Sequence, residues 1–156
     1  MRIIPLFAFL ILSSLVLDAA PTAEWHVVRA VLTGPDQSML SVESTVIIQN
    51  DSASGVAITN WGGSVLADIE VFDEGGSKLS DVITTGPAPA FAKEYHIQKE
   101  EKKTFQIFPC LFVVAKSGEY SAKGRICCIS PDGKTVALEL PRVTFRVDAQ
   151  KKKEPN

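Results

Sequence analysis

The sequence predicts an all-β domain, an antiparallel sandwich of about seven to nine strands. Three observations lead there. Apolar residues recur at every second position through most of the chain, while helix-spaced apolar patterns are scarce. Turn chemistry falls at short intervals: Gly34-Pro35-Asp36, Asn50 to Gly55, Asp73 to Gly76 and Ser130 to Gly133. Each alternating strand has a single apolar face, and two packed layers are the natural way to bury such faces.

Glu24 to Leu32 opens the domain with Trp25, Val27, Val28 and Val31. Ser41 to Gln49 alternates cleanly, with Val42, Ser44, Val46 and Ile48 on one side. Val56 to Trp61 is a short strand, after which Gly62-Gly63 lets the backbone bend. Val65, Ala67, Ile69 and Val71 then alternate with Leu66, Asp68, Glu70 and Phe72 in one strand. Asp73-Glu74-Gly75-Gly76 is a hairpin loop with a glycine for the left-handed position, and Lys78 to Ile83 returns as a strand. Thr84 to Ala90 holds two prolines that cannot donate to a ladder, so an extended surface loop is expected. Tyr95 to Ile97 is short, Lys99 to Lys102 is a charged turn, and Thr104 to Phe108 follows. Pro109 is expected to end that strand, leaving Cys110 to Val114 as a segment apolar on both sides. Glu119 to Ile129 is the longest strand, with Tyr120, Ala122, Gly124, Ile126 and Cys128 on one face. Val136, Leu138 and Leu140 return, Pro141 interrupts, and Val143, Phe145 and Val147 close the domain.

The N-terminus sets the expected compartment. Ile3 to Leu17 is almost wholly apolar, follows Arg2, and gives way to the small residues of Asp18-Ala19-Ala20-Pro21. That layout reads as a signal peptide over residues 1–20. The run is shorter than the roughly 20 residues a spanning helix needs. No bond offers a clean Ala-x-Ala, and the alternative is an uncleaved N-terminal anchor. Cleavage is expected between Leu17 and Glu24, with no stable membrane insertion afterwards. Residues 24–148 then form one domain, and Lys151-Lys152-Lys153 belongs to a basic, disordered tail over 149–156. The expected localisation is exported, either periplasmic or extracellular.

Sixteen basic and 18 acidic residues leave a formal charge of −2. Without a basic stripe, nucleic acid is not an expected partner. The three cysteines, Cys110, Cys127 and Cys128, cannot all pair within one chain. In a strand, Cys127 and Cys128 face opposite sides, so only one of them looks inward toward Cys110. A bridge from Cys110 to Cys127 or Cys128 would be worth roughly 3 kcal/mol. The alternative, three small apolar thiols, stays open.

Three local patterns suggest a family. Val46-Ile47-Ile48-Gln49-Asn50-Asp51-Ser52 ends a strand in Asn-x-Ser. Asp68 to Gly76 runs a strand into an Asp-x-Gly turn, and Ser117-Gly118-Glu119-Tyr120 enters a late long strand through Gly-x-Tyr. Over residues 40–130 this succession resembles bacterial immunoglobulin-like β-sandwiches, the intracellular proteinase inhibitor family among them. The resemblance implies an immunoglobulin-like topology. No inhibitory residue carries over, and a signal peptide departs from an intracellular family.

Catalytic and cofactor motifs are not evident. There is no Gly-x-Ser-x-Gly elbow, no His-Glu-x-x-His and no glycine-rich phosphate loop opening a helix, so no cofactor is expected. Asp68 and Glu70 share a strand face, which for a strand between turns reads as a solvated face. Asn50-Asp51-Ser52 fits a glycosylation sequon. The expected function is non-enzymatic protein–protein contact. The candidate binding residues are Thr84, Gly86, Pro87, Ala88 and Pro89 of the proline loop, together with Trp61 beside Gly62-Gly63. The alternative is a carbohydrate-binding module in which Trp25, Trp61, Tyr95 and Tyr120 form a stacking platform for sugar rings.

Overall fold

The computed structural model describes residues 19–34, 36–82, 89–114 and 116–148. Apart from Ala19 and Ala20, the expected leader lies outside the described residues, as does the expected basic tail. Nine strands follow in chain order: β1 (Thr22–Thr33), β2 (Met39–Gln49), β3 (Val56–Trp61), β4 (Ser64–Val65), β5 (Asp68–Phe72), β6 (Lys93–Ile97), β7 (Lys102–Val113), β8 (Gly118–Ile129) and β9 (Thr135–Val147). One turn of 3₁₀ helix, Pro89–Phe91, precedes β6. Hydrogen bonding links the strands in the order β1-β2-β7-β4-β3-β8-β5, with β6 added to β3 and β9 to β8. Every strand pair is antiparallel except β4 with β7. The fold is therefore all-β, a mixed and mostly antiparallel sheet that is not closed into a barrel.

The period-2 reading holds where it is strongest. Along β2, Leu40, Val42, Ser44, Val46 and Ile48 are buried, while Ser41, Glu43, Thr45 and Ile47 are half-buried on the other side. Along β8, Tyr120, Ala122, Ile126 and Cys128 are buried, as the alternation requires. Inward residues from β1, β2 and β7 meet those of β3, β5, β8 and β9 in one core cluster. Phe112, Leu40, Ile48, Ile58, Ile97 and Ile126 are its largest fully buried side chains. Burying such a side chain contributes about 1.5–3 kcal/mol.

Four strand expectations are corrected. The segment 65–72 is two strands: β4 pairs with β3 and β7, the chain breaks at Leu66-Ala67, and β5 pairs with β8. Lys78 to Ile83 does not form a strand over its described residues. The chain there makes isolated bridges as it crosses from β5 to β7: Leu79 N donates to Val71 O at 2.8 Å, and Val82 N donates to Leu111 O at 2.8 Å. Pro109 does not end its strand, and Pro141 does not interrupt one. Each sits where the register skips: Phe108-Pro109 lies opposite Glu43, and Pro141-Arg142 lies opposite Lys123. A bulge leaves one residue without a ladder partner, so the missing proline N–H costs nothing there.

Asn50 is a buried polar hub between β2 and β3. Its Nδ2 donates to Ser54 O at 2.9 Å and Ile97 O at 3.0 Å, and its Oδ1 accepts Ser52 Oγ at 2.6 Å and Ser52 N at 3.2 Å. Its backbone pairs with the β6–β7 turn, accepting from Glu100 N and donating to Glu101 O. Glu100 takes a positive φ of 64° in that turn. The glycosylation reading is corrected by this geometry: the folded domain has no room for a glycan on a fully buried amide whose hydrogens are both in use.

Candidate functional site

The site is the solvent side of β3, β4 and β7. It begins at the β3–β4 hairpin, where Gly62 and Gly63 have φ of +65° and +93°. Two successive left-handed residues make the tight two-residue turn that suits a twisted hairpin, and glycine takes that conformation without strain. Asn60 braces the turn: its Oδ1 accepts Gly63 N at 3.2 Å and its Nδ2 donates to Lys93 O at 3.1 Å. The hairpin places Trp61 opposite Ser64, and the parallel rungs Ser64↔Gln106 and Val65↔Ile107 then set β4 against β7.

Alternation does the rest. Val65 and Ile107 face the core; Phe108, the next residue of β7, turns outward, and Leu66, just past the end of β4, is exposed beside it. Trp61 and Phe108 meet edge to face, with ring centroids 6.0 Å apart and planes at 71°. The bulge at Phe108-Pro109 bends β7, and its later outward residues, Leu111 and Val113, extend the apolar stripe. Leu66 is 48 % exposed and Val113 53 % exposed. Arg29 and Glu43, an exposed ion pair at 3.6 Å, border the stripe through the β1–β2–β7 ladder. Leu66, Phe108, Leu111 and Val113 escape sequence reasoning. Their one signal is that Cys110 to Val114 is apolar on both sides, which leaves apolar groups facing water if the outer side has no cover.

The sequence candidates divide accordingly. Trp61 is half-buried on this outer face. Thr84, Gly86, Pro87 and Ala88 lie outside the described residues. Pro89 opens the 3₁₀ turn that ends at Phe91, which is 74 % exposed. The chain enters the proline loop from Val82, bonded to Leu111, and leaves it toward Lys93, paired with Asn60. Both ends are thus rooted beside the stripe. The four-aromatic platform is corrected: Trp25 and Tyr120 are buried, and Tyr95 packs against the core, its ring edge-on to Phe105 with centroids 5.7 Å apart. Only Trp61 of the four lies on the outer face.

The disulfide expectation is also corrected. All three cysteines are free. Cys127 and Cys128 do face opposite ways, exposed and buried respectively. β7 and β8 belong to different ladders of the sheet path. Cys110 pairs in register with Val42, while Cys128 pairs with Val136. Burial pushes the Cys110 and Cys128 thiols up to about 11, helped by Asp81 and Cys127 respectively. Neither thiol carries appreciable thiolate at neutral pH.

The outer side of β5 and β8 is a charged ladder. Glu70 binds Lys78 at 2.8 Å and Lys123 at 3.0 Å, and these partners hold its carboxyl down at about 2. Asp68 takes Arg125 through both Nε and Nη2, at 3.0 and 2.9 Å. Lys123 and Arg142 also lie over the Phe72 ring, 5.4 and 5.1 Å from its centroid. Asp68 and Glu70 share a face as expected, and both are occupied by cations. Among the described residues, no three His, Cys, Asp or Glu side chains gather closely enough to hold a metal ion.

No family model matches the chain, and no curated protein matches it. Solved structures do resemble it. The structural-genomics target SoR45 is 12 % identical, with a TM-score of 0.57 over 90 % of this chain and 96 % of that one. The putative ApaA protein from Bordetella pertussis is 13 % identical, with a TM-score of 0.54 over 81 % of this chain and 93 % of that one. At such identities the likeness is one of fold: the chain shares its all-β architecture with these two proteins along nearly their whole length.

Proposed function

We propose that this chain is an exported, non-enzymatic immunoglobulin-like β-sandwich that acts by binding another protein through the outer face of β3, β4 and β7. The observation that supports the contact is the apolar stripe on this face, with Leu66 and Val113 exposed and Trp61, Phe108 and Leu111 half-buried. Exposed apolar surface that gathers on one face marks interaction sites. Two features support the sandwich. Inward residues from both ends of the sheet path share one core, as two stacked layers require. Tyr120, near the start of the long strand β8, donates its hydroxyl to Lys116 O four residues upstream at 2.5 Å. Such a tyrosine corner is a hallmark of immunoglobulin-like sandwiches. The apolar run from Ile3 to Leu17 supports export.

The partner is expected to present an apolar, strand-like or aromatic surface. Photo-crosslinkers placed at Leu66 and Val113 in the exporting cell should capture one identifiable protein, while one at Glu139, on the charged side, should not. Phe108→Ser should then weaken binding of the purified partner at least tenfold with little change in the domain's secondary structure. Equal capture from all three positions, or unchanged affinity in the variant, overturns the assignment. Glycan binding would rest on Trp61 alone, and retention on a polysaccharide that Trp61→Ala abolishes would favour it.

A further inference from the structure

We propose that a cleft at the edge of the apolar stripe takes a lysine or arginine side chain of the bound partner, an inference that rests on the contact reading above. The cleft follows from the break at Leu66-Ala67. β4 pairs with β7 only through Ser64↔Gln106 and Val65↔Ile107, and the chain then crosses to β8. Farther along β7 the neighbour is the segment from Ser80 to Val82: Val113 N donates to Ser80 O at 2.9 Å, and Val82 N donates to Leu111 O at 2.8 Å. Between this segment and the start of β5 lies an open cleft of about 250 Å³, walled by Ala67, Ile69, Val82, Cys110 and Leu111. Leu111 also belongs to the stripe, so the cleft and the contact face are continuous. Small-molecule pockets take roughly 300–1,000 Å³; this cleft has room for one long side chain instead.

Charge selects the occupant. Asp68 and Asp81 also line the cleft. Asp68 is already held by Arg125 at 2.9 Å. Asp81 bridges to Phe112, and antiparallel partners in register present the same face, so Asp81 turns toward the side on which Phe112 is buried. Its charge reaches the Cys110 thiol there, adding to the burial that pushes that group up to about 11. Among the described residues Asp81 makes no ion pair. Lys78 feels its charge but is held on Glu70 at 2.8 Å. A carboxylate set against apolar walls is stabilised by a cation that also donates hydrogen bonds. Lysine and arginine join such a head to an apolar stem, which Ala67, Ile69 and Leu111 are placed to cover. An acidic side chain would be repelled by Asp81, and an apolar one would leave its carboxylate covered and unpaired.

A random peptide library displayed on phage, panned against the exported domain, is the probe. Enriched peptides should carry one lysine or arginine among apolar residues. Asp81→Asn should weaken them by about tenfold or more, as should norleucine in place of that basic residue. Bound peptide should slow alkylation of Cys110 and leave the exposed Cys127 unchanged. In the free domain Asp81→Asn should speed Cys110 alkylation, because a neighbouring negative charge no longer opposes the thiolate. Peptides without a basic residue, equal affinity for Asp81→Asn, or an unprotected Cys110 overturn the cleft assignment, and the stripe stands if Phe108→Ser abolishes their binding. Binding that survives Phe108→Ser and is lost in Asp81→Asn overturns the stripe reading and keeps the cleft. No enriched peptide overturns both. An Asp81→Asn domain that self-associates while its peptide affinity holds shows the inward charge guarding an edge, and that result also overturns the docking role.

Discussion

Gly124 sits where β5 comes closest to β8, and replacing it tests the packing argument most sharply. It pairs with Ile69 on the second of the five β5–β8 rungs, beside Asp68↔Arg125. A Cβ built there would lie 2.6 Å from Asp68 O and 3.3 Å from Ile69 Cα and Cγ1. The first contact is with backbone, which cannot swing aside as a side-chain tip can. β5 must therefore move outward by several tenths of an ångström. That strains the rungs on either side and the Asp68–Arg125 ion pair. Overpacking of this kind costs about 1–3 kcal/mol. Against it stands the stabilisation from replacing a strand glycine, about 0.4–1 kcal/mol through the unfolded chain. The clash wins, and Gly124→Ala should be destabilised by about 1–2 kcal/mol. At roughly 3 °C per kcal/mol for a domain of this size, the thermal midpoint should fall by about 3–6 °C. Gly118→Ala is the matched control: it lies in the same strand, and a Cβ there meets nothing within 4 Å. It should be neutral or slightly stabilised. The measurement is thermal unfolding followed by circular dichroism on both variants, side by side. A Gly124→Ala midpoint at or above that of the parent would refute the close-approach reasoning.

Other outcomes follow from the buried groups and the charge ladder. Asn50→Ala leaves Ser54 O, Ile97 O and Ser52 N without their partner, so chemical denaturation should show a loss on the order of 3–5 kcal/mol. Expression of the parent in a glycosylating host should give an intact mass with no glycan at Asn50. Under non-reducing conditions in denaturant, a thiol reagent should titrate all three cysteines; in the native state Cys127 should react first, and a disulfide-linked peptide in the native digest would contradict the register argument. Glu70, Glu101, Asp36 and Asp132 all have carboxyls held below their usual range by hydrogen-bonding partners. Their contribution is fully present above the unfolded carboxylate range and is lost as pH falls through the depressed values. The midpoint should therefore be level near neutrality and decline from about pH 4.5 downward. Added salt should flatten that decline, and a midpoint that rises on acidification would show these partners to be absent in solution.

The alternation of β2 and β8 is legible because side chains in a strand have a fixed period, so Val42 to Ile48 and Tyr120 to Cys128 announce their faces without help from the fold. Turn chemistry is equally local, and Gly62-Gly63 and Asp73 to Gly76 stand where their composition puts them. Prolines mislead for the opposite reason. Whether Pro109 or Pro141 ends a strand depends on the register of the partner, and a bulge opposite Glu43 or Lys123 is a property of two strands together. The same holds for the split of 65–72, whose halves pair with strands from distant parts of the chain. It holds also for Cys110 and Cys128, which the fold places in separate ladders, β2–β7 and β8–β9, as free thiols. The candidate site follows this division. Trp61 beside two glycines is visible locally. The joining of Leu66, Phe108, Leu111 and Val113 to it arises only when the parallel β4–β7 pair forms. Strand class, the faces of the alternating strands and the turns depend on neighbours in the chain, and local composition is enough to set them. Pairing order, bulges, free thiols and the apolar outer stripe were decided by the tertiary structure, because each depends on which remote strand supplies the other half of the contact.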